Sequence, residues 1–217
     1  MPQRTRIEAL RIVFNCASQY EVNLENKNVL FITTQGEEAV SFETLFMPHN
    51  FMHLTGIESK LNAELFYRAA ISRRLSEKDI TLPPNGTADL KLDILPNLMY
   101  IHRAARMVGD YDNSQPLLIT DKFAGTVTMA MGFIYANDIY VPNTALKMDI
   151  RDISQKATRR KVAAIFVKPR NDIMYNQLTY IARGMAIDDD VLAPTLQEKV
   201  DIENLSADFP IQGKPIE

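Results

Sequence analysis

Apolar residues along the first twenty positions recur at helical spacing. Ile7, Leu10, Ile12 and Phe14 supply an apolar surface, which predicts a helix over residues 3–20. Val29–Thr34 concentrates β-formers and predicts a strand, with a partner over Val40–Met47 after a turn at Gln35-Gly36. The segment from Asn50 to Ile57 reads as extended chain, anchored by Met52, Leu54 and Ile57. Ser59 or Asn62 can cap a helix running to Leu75, with Leu61, Leu65, Ala69 and Leu75 facing inward. Two prolines and Asn85-Gly86 then mark a loop. Asp89 opens a third helix, whose stripe of Ile94, Leu98, Ile101, Ala105 and Val108 keeps a 3.6-residue period as far as Gly109. Pro96 falls inside it and predicts a kink, and His102 lies one residue off the stripe.

The second half reads as sheet. Leu117–Thr120 is a short strand, and Thr126–Tyr135 alternates. Val127, Met129, Met131, Phe133 and Tyr135 fall on one face, with Thr126, Thr128, Ala130 and Gly132 on the other. Asn137-Asp138 turns the chain into Ile139–Val141, where Pro142 ends the strand and Asn143 caps a short helical turn. Val162–Lys168 and Gln177–Ala182 are the last strands. The pattern predicts an α+β domain over residues 1–185, with helices packed on one face of a mainly antiparallel sheet. Residues 186–217 read as an acidic C-terminal tail.

Composition narrows the classes. The chain has 217 residues, 46% hydrophobic and 24% charged, enough for one sizeable core. No apolar run approaches the ~18 residues of a membrane helix. Arg4 and Arg6 are followed by no apolar signal core, so the expected location is cytoplasmic, with no membrane partner. The single Cys16 rules out an internal disulfide and is assigned to packing on the first helix. His49 and His53 stand four apart with no third ligand at a familiar spacing, so neither a metal centre nor a cofactor is expected. No glycine-rich phosphate loop is present, which argues against an ATPase or dehydrogenase.

Charge is uneven. The chain carries a net −3, yet residues 151–170 hold a net +6 and residues 186–217 a net −6. A basic stripe through Arg159, Arg160 and Lys161 would attract a polyanion by releasing its counterions, although an isolated charge run is usually a solvated face. The acidic tail could cover that stripe and moderate nonspecific binding.

The chemistry concentrates in Phe51-Met52-His53-Leu54-Thr55-Gly56-Ile57. Residues i and i+2 of an extended segment share a face, so His53 and Thr55 would present an imidazole and a hydroxyl together. Histidine can accept and return a proton near neutral pH, and a hydroxyl can hold a phosphate oxygen. A hydrogen-bonded core histidine is the alternative.

This motif, followed by the Asn62-to-Tyr67 helix start, resembles the phage-associated nucleases of the barnase–EndoU–colicin–RelE superfamily, specifically their fourth branch. Tyr140-Val141-Pro142-Asn143-Thr144-Ala145-Leu146, leading into Asp149-Ile150-Arg151, is a second match. The resemblance implies a metal-independent endoribonuclease, a toxin or defence effector of a phage or other mobile element. Its substrate would be RNA, and its protein partner an antitoxin or immunity protein. His53 would be the general acid or base and Thr55 a phosphate contact. Lys122, Tyr140, Asn143, Thr144, Arg159, Arg160 and Lys161 would bind substrate. An inactive nucleic-acid-binding module and a structural or regulatory phage protein are the competing readings.

Overall fold

The computed structural model describes residues 4–35, 38–113, 118–187, 192 and 194–209. Helix α1 (Arg6–Asn23) starts at a capping box, in which Thr5 accepts from the Glu8 amide and Glu8 reaches back to the Thr5 amide. Its buried stripe is Ala9, Leu10, Val13, Cys16, Ala17 and Tyr20, while Ile7 is 50% exposed. The helix therefore stands where the periodicity predicts, rotated from the face that Ile7, Ile12 and Phe14 suggest. Cys16 is packed in the core.

Strands β1 (Lys27–Gln35) and β2 (Glu38–Phe46) form the expected hairpin. They are followed by α2 (Asn50–Thr55), β3 (Glu58–Ser59), α3 (Ala63–Ile71), β4 (Ile80–Thr81), α4 (Thr87–Leu98) and α5 (Ile101–Ala104). In α3 the buried face is Phe66, Tyr67 and Ala70, and Leu65 is exposed. The expected single helix from Asp89 to Val108 is broken twice. Met99 and Tyr100 separate α4 from α5, and Val108 lies in strand β5 (Met107–Asp110). Pro96 is accommodated inside α4.

The remaining elements are β6 (Lys122–Gly125), β7 (Ala130–Ala136), β8 (Ile139–Leu146), α6 (Ile150–Ile153), β9 (Arg160–Pro169), β10 (Gln177–Ile181), α7 (Pro194–Gln197) and β11 (Ser206–Ala207). Leu118–Thr120 is not strand, and Leu117 lies outside the described residues. Thr126–Met129 is a turn, which leaves Val127 exposed, whereas Met131 and Phe133 are fully buried as the alternation predicts. Strand β8 continues through Pro142 and Asn143 instead of ending there. A register shift between Gly132 and Phe133 of β7 lets the ladder skip a residue at the proline, which has no N–H to donate.

The sheet is mixed, a correction to the mainly antiparallel expectation. β2–β8 and β10–β11 are parallel, among antiparallel neighbours. Its order is β1-β2-β8-β7-β6-β5-β9, and β9 pairs back onto β1, so these seven strands close into a ring. β10 and β11 extend outward from β9.

The two faces of β1 and β9 belong to different cores. Val29, Phe31, Ile165 and Val167 join the main core, in which Tyr20 of α1 packs against Phe46, Phe51 and Tyr67. Inside the ring, Phe42 stacks on Phe31 (5.4 Å between centroids) and meets Phe133 (5.0 Å) and Tyr140 (4.9 Å) edge-on. Leu30, Ile32, Ala164 and Phe166 face outward and are covered by Tyr175, Leu178, Leu192, Leu196, Val200 and Leu205. The leucines and valine of the C-terminal segment are thus core residues, and Lys199 pairs with Glu43 at 3.2 Å. Asp188, Asp189, Asp190 and Glu217 of the predicted acidic tail lie outside the described residues.

Candidate functional site

The helices close the end of the ring near Phe46, where Tyr20 meets it. The opposite end carries polar residues in the positions that continue the inward rows. Along β5, Val108 is core and Asp110, two residues on, points the same way; along β6, Ala124 and Lys122 do likewise. Asp110 and Lys122 are directly opposed in the ladder, and their side chains form an ion pair. Arg160 opposes Val108 on the other side of β5, and Thr33 continues the inward row of Phe31. A cavity of about 110 Å³ lined by Thr33, Phe42, Asp110, Lys122, Thr158 and Arg160 occupies this mouth. It abuts a polar recess of about 360 Å³ that shares Asp110 and Lys122 and adds Tyr140, Asp121 and Gln155.

The cations of the mouth differ in their partners. Lys122 is held by Asp110 and lies 5.7 Å from the centre of the Tyr140 ring. Arg160 forms no ion pair among the described residues, and its Nη1 is buried without a hydrogen-bond partner. A buried guanidinium nitrogen left unsatisfied is costly unless an anion completes it. Thr158 accepts from the Asp110 amide at 3.0 Å, tying the approach to β9 to the strand that carries the carboxylate.

Three of the residues expected to bind substrate, Lys122, Tyr140 and Arg160, therefore meet at one place. The others do not. Arg159 donates to Ser154 Oγ (3.1 Å) and to the carbonyls of Ser154 and Arg151, fastening α6 and the turn after it. Lys161 points to the outside of the ring, opposite Thr34 and Met107. Asn143 donates to the Ile119 carbonyl and accepts from Thr120 at 3.4 Å. The stripe of basic sequence is thus not one basic face.

The His53 segment is helical, not extended, so His53 and Thr55 lie on different sides of α2. Asn50 starts the turn by accepting from the Met47 amide (2.8 Å), and Gly56 ends it in the left-handed region, at φ 69°. Thr55 is fully buried. Its hydroxyl donates to the Met52 carbonyl (2.7 Å) and accepts from the Ile57 amide (3.0 Å), which occupies it within its own segment. His53 is exposed at the surface, with one side of its ring against the protein; that partial desolvation, then His49 and Lys91 nearby, lowers its basicity. The Lys91 ammonium donates to the His53 carbonyl (3.0 Å) and to Thr144 Oγ1 (3.1 Å), and burial pushes its pKa down to about 8. Lys91, which the sequence did not single out, joins the two motifs at the helix-packed side of β8.

No group of three or more His, Cys, Asp or Glu side chains is arranged as a metal site among the described residues. No described helix is long and apolar enough to cross a membrane. Residues 12–184 match the family model described as phage-Barnase-EndoU-ColicinE5/D-RelE like nuclease4. No curated protein and no solved structure gives a significant match.

Proposed function

Because the chain belongs to this phage-type nuclease family, we propose that it is an endoribonuclease whose catalytic centre is the mouth of the strand ring. The observation that carries this placement is Arg160, a half-buried cation whose buried Nη1 lacks a partner among the described residues, beside Lys122 and Asp110. A phosphodiester in the mouth satisfies Arg160 with a phosphoryl oxygen and competes with Asp110 for Lys122. Asp110 then takes the proton of the RNA 2′-hydroxyl as its oxygen attacks phosphorus. The bond from phosphorus to the 5′-oxygen breaks, and Lys122 protonates that leaving oxygen. The products are a 2′,3′-cyclic phosphate and a 5′-hydroxyl. The proton gained by Asp110 returns to Lys122 along their contact. Arg160 stabilises the charge that builds on the phosphoryl oxygens. Tyr140 and Thr33 border the substrate. No metal takes part in this scheme, and RNA cleavage suits a toxin or defence effector held in check by an antitoxin.

A second placement rests on the contact of Lys91 with both His53 and Thr144. There His53 would transfer the proton and Lys91 and Thr144 would hold phosphate. Thr55, locked in its own segment, would support the geometry.

Arg160→Ala and His53→Ala, assayed side by side on RNA, separate the two. The mouth predicts a loss of about 10²–10³-fold in turnover for Arg160→Ala, the usual cost of removing a transition-state charge donor, with His53→Ala near wild type. The reverse result moves the centre to His53. Wild-type protein that binds RNA without cutting it would leave a nucleic-acid-binding module.

A further inference from the structure

On the outer side of β9 and β5, directly behind the mouth, lies a recess of about 440 Å³. The backbone alternation creates it. Arg160 opposes Val108 on the inner face, so the next pair, Lys161 and Met107, faces out. Its walls are largely apolar, from Met107, Val162, Ala163, Tyr180 and Met185, and its cations are Arg106, Lys161 and Arg183. A second recess of about 360 Å³ continues it past Arg106 and Tyr180 and adds Arg103. Asp208 is the one carboxylate lining either recess among the described residues.

The centre of this groove is an aromatic ring under a guanidinium. Arg106 Cζ lies 4.1 Å from the Tyr180 ring centroid, and Arg106 Nη1 donates to the carbonyls of Arg103 (2.8 Å) and Ala105 (2.9 Å). Those bonds hold the guanidinium plane in place, so it is a fixed platform. A flat platform of ring and guanidinium, with an apolar floor and cations around it that form no ion pair among the described residues, matches a nucleobase flanked by phosphates. A protein partner of acidic surface would match the cations but make no use of the stack.

We propose that this groove is a second nucleic-acid site, which takes the single-stranded segment beyond the one held in the mouth. A base stacks on Arg106 and Tyr180, and flanking phosphates meet Lys161 and Arg183. The inference rests on the nuclease reading for its substrate class. It predicts a length dependence, because a dinucleotide fills the mouth alone and a longer strand is needed to reach the far side of the sheet.

The test uses Arg106→Gln, Arg183→Gln and Tyr180→Leu in the full chain. One measurement is binding of a fluorescent 2′-deoxy oligonucleotide, which lacks the attacking hydroxyl and cannot be cut by this chemistry. The other is cleavage of a ribodinucleotide and of a longer single-stranded RNA. Arg106→Gln and Tyr180→Leu should each weaken oligonucleotide binding by about tenfold, in the range of a lost stacking contact. Arg183→Gln should flatten its salt dependence. KM should rise on the long RNA, with dinucleotide kinetics unchanged when scaled to folded protein. Unaltered oligonucleotide affinity in Arg106→Gln and Arg183→Gln overturns the proposal, and so does an equal loss on the dinucleotide. If the wild type binds the oligonucleotide through these residues but cuts no RNA, the groove stands and the nuclease reading fails.

Discussion

Thr55→Val isolates what the Thr55 hydroxyl does. Valine has nearly the same shape, so the fully buried site is left without a cavity and only polar contacts are lost. Two hydrogen bonds disappear: the one to the Met52 carbonyl and the one from the Ile57 amide. An average intramolecular hydrogen bond contributes about 1 kcal/mol, and a buried donor left unsatisfied costs about 1–3 kcal/mol. The amide of Ile57, itself only 4% exposed, becomes such a donor. The expected loss is therefore about 2–3 kcal/mol, which for a chain of this size lowers the melting temperature by roughly 5–10 °C. Thermal and urea denaturation measure the stability. Cleavage of RNA well below the transition, scaled to folded protein, measures activity and should match wild type. A variant as stable as wild type would refute the hydrogen-bond reasoning. One that stays stable and loses activity would return Thr55 to substrate contact.

Met131→Asp should destabilise the fold by about 4 kcal/mol or more, since it places an unpaired charge in the fully buried core; an unchanged denaturation midpoint would contradict the assigned strand face. His102 is buried, with Nδ1 unpartnered, and burial pushes its pKa down to about 3. The unfolded chain binds the extra proton more readily, so His102 should erode stability as pH falls from about 6.5 towards 3, and His102→Gln should flatten that limb of the stability–pH curve. RNA cleavage should survive exhaustive treatment with a chelator, and activity restored only by a divalent ion would displace the proton-transfer scheme. Asp110→Asn should cut turnover by about 10²–10⁴-fold while leaving oligonucleotide binding in place, the behaviour of a lost general base.

The sequence was most legible where local signals agreed. The first helix and the first hairpin stand where the apolar spacing and the β-formers put them, although the helix turns Ala9, Val13, Cys16 and Tyr20 inward and leaves Ile7 half exposed. Legibility failed where tertiary contacts override a local pattern. Asn50–Thr55 is too short and too uniformly apolar for its period to separate helix from strand, and its helical state rests on Asn50 and Gly56 at the ends. The stripe from Ile94 to Val108 keeps helical spacing through a break, because Val108 is buried equally well as a strand residue. Pro142 looked like a strand end, and the shift in the β7–β8 register keeps the ladder going around it. For the site, Lys122, Tyr140 and Arg160 were named, but not their meeting. A bulge explains the difficulty. Ile32 pairs with Ala164 and Thr33 with Val162, so Ala163 is an extra residue. Counting by twos back from Phe166 would send Arg160 outward and Lys161 inward. The bulge reverses both. Asp110 and Lys91 carried no sequence signal, being single charged residues whose neighbours come from distant segments.

The ring of strands closes through β2 and β8 at a single residue pair, Thr44 with Tyr140, reinforced by the Thr44 hydroxyl on the Tyr140 carbonyl at 2.9 Å. By contrast, β1 is paired with β2 along its length. Segments with few backbone bonds open at lower free energy than the molecule as a whole. Native-state hydrogen exchange should therefore find its weakest protected amides in the ring beside Tyr140, not in β1 or β9. Tyr140 also borders the mouth, so each such opening would widen it momentarily. If the mouth is the catalytic centre proposed above, this seam is where a cut end would find room to leave, at the cost of loosening Tyr140 from Phe42.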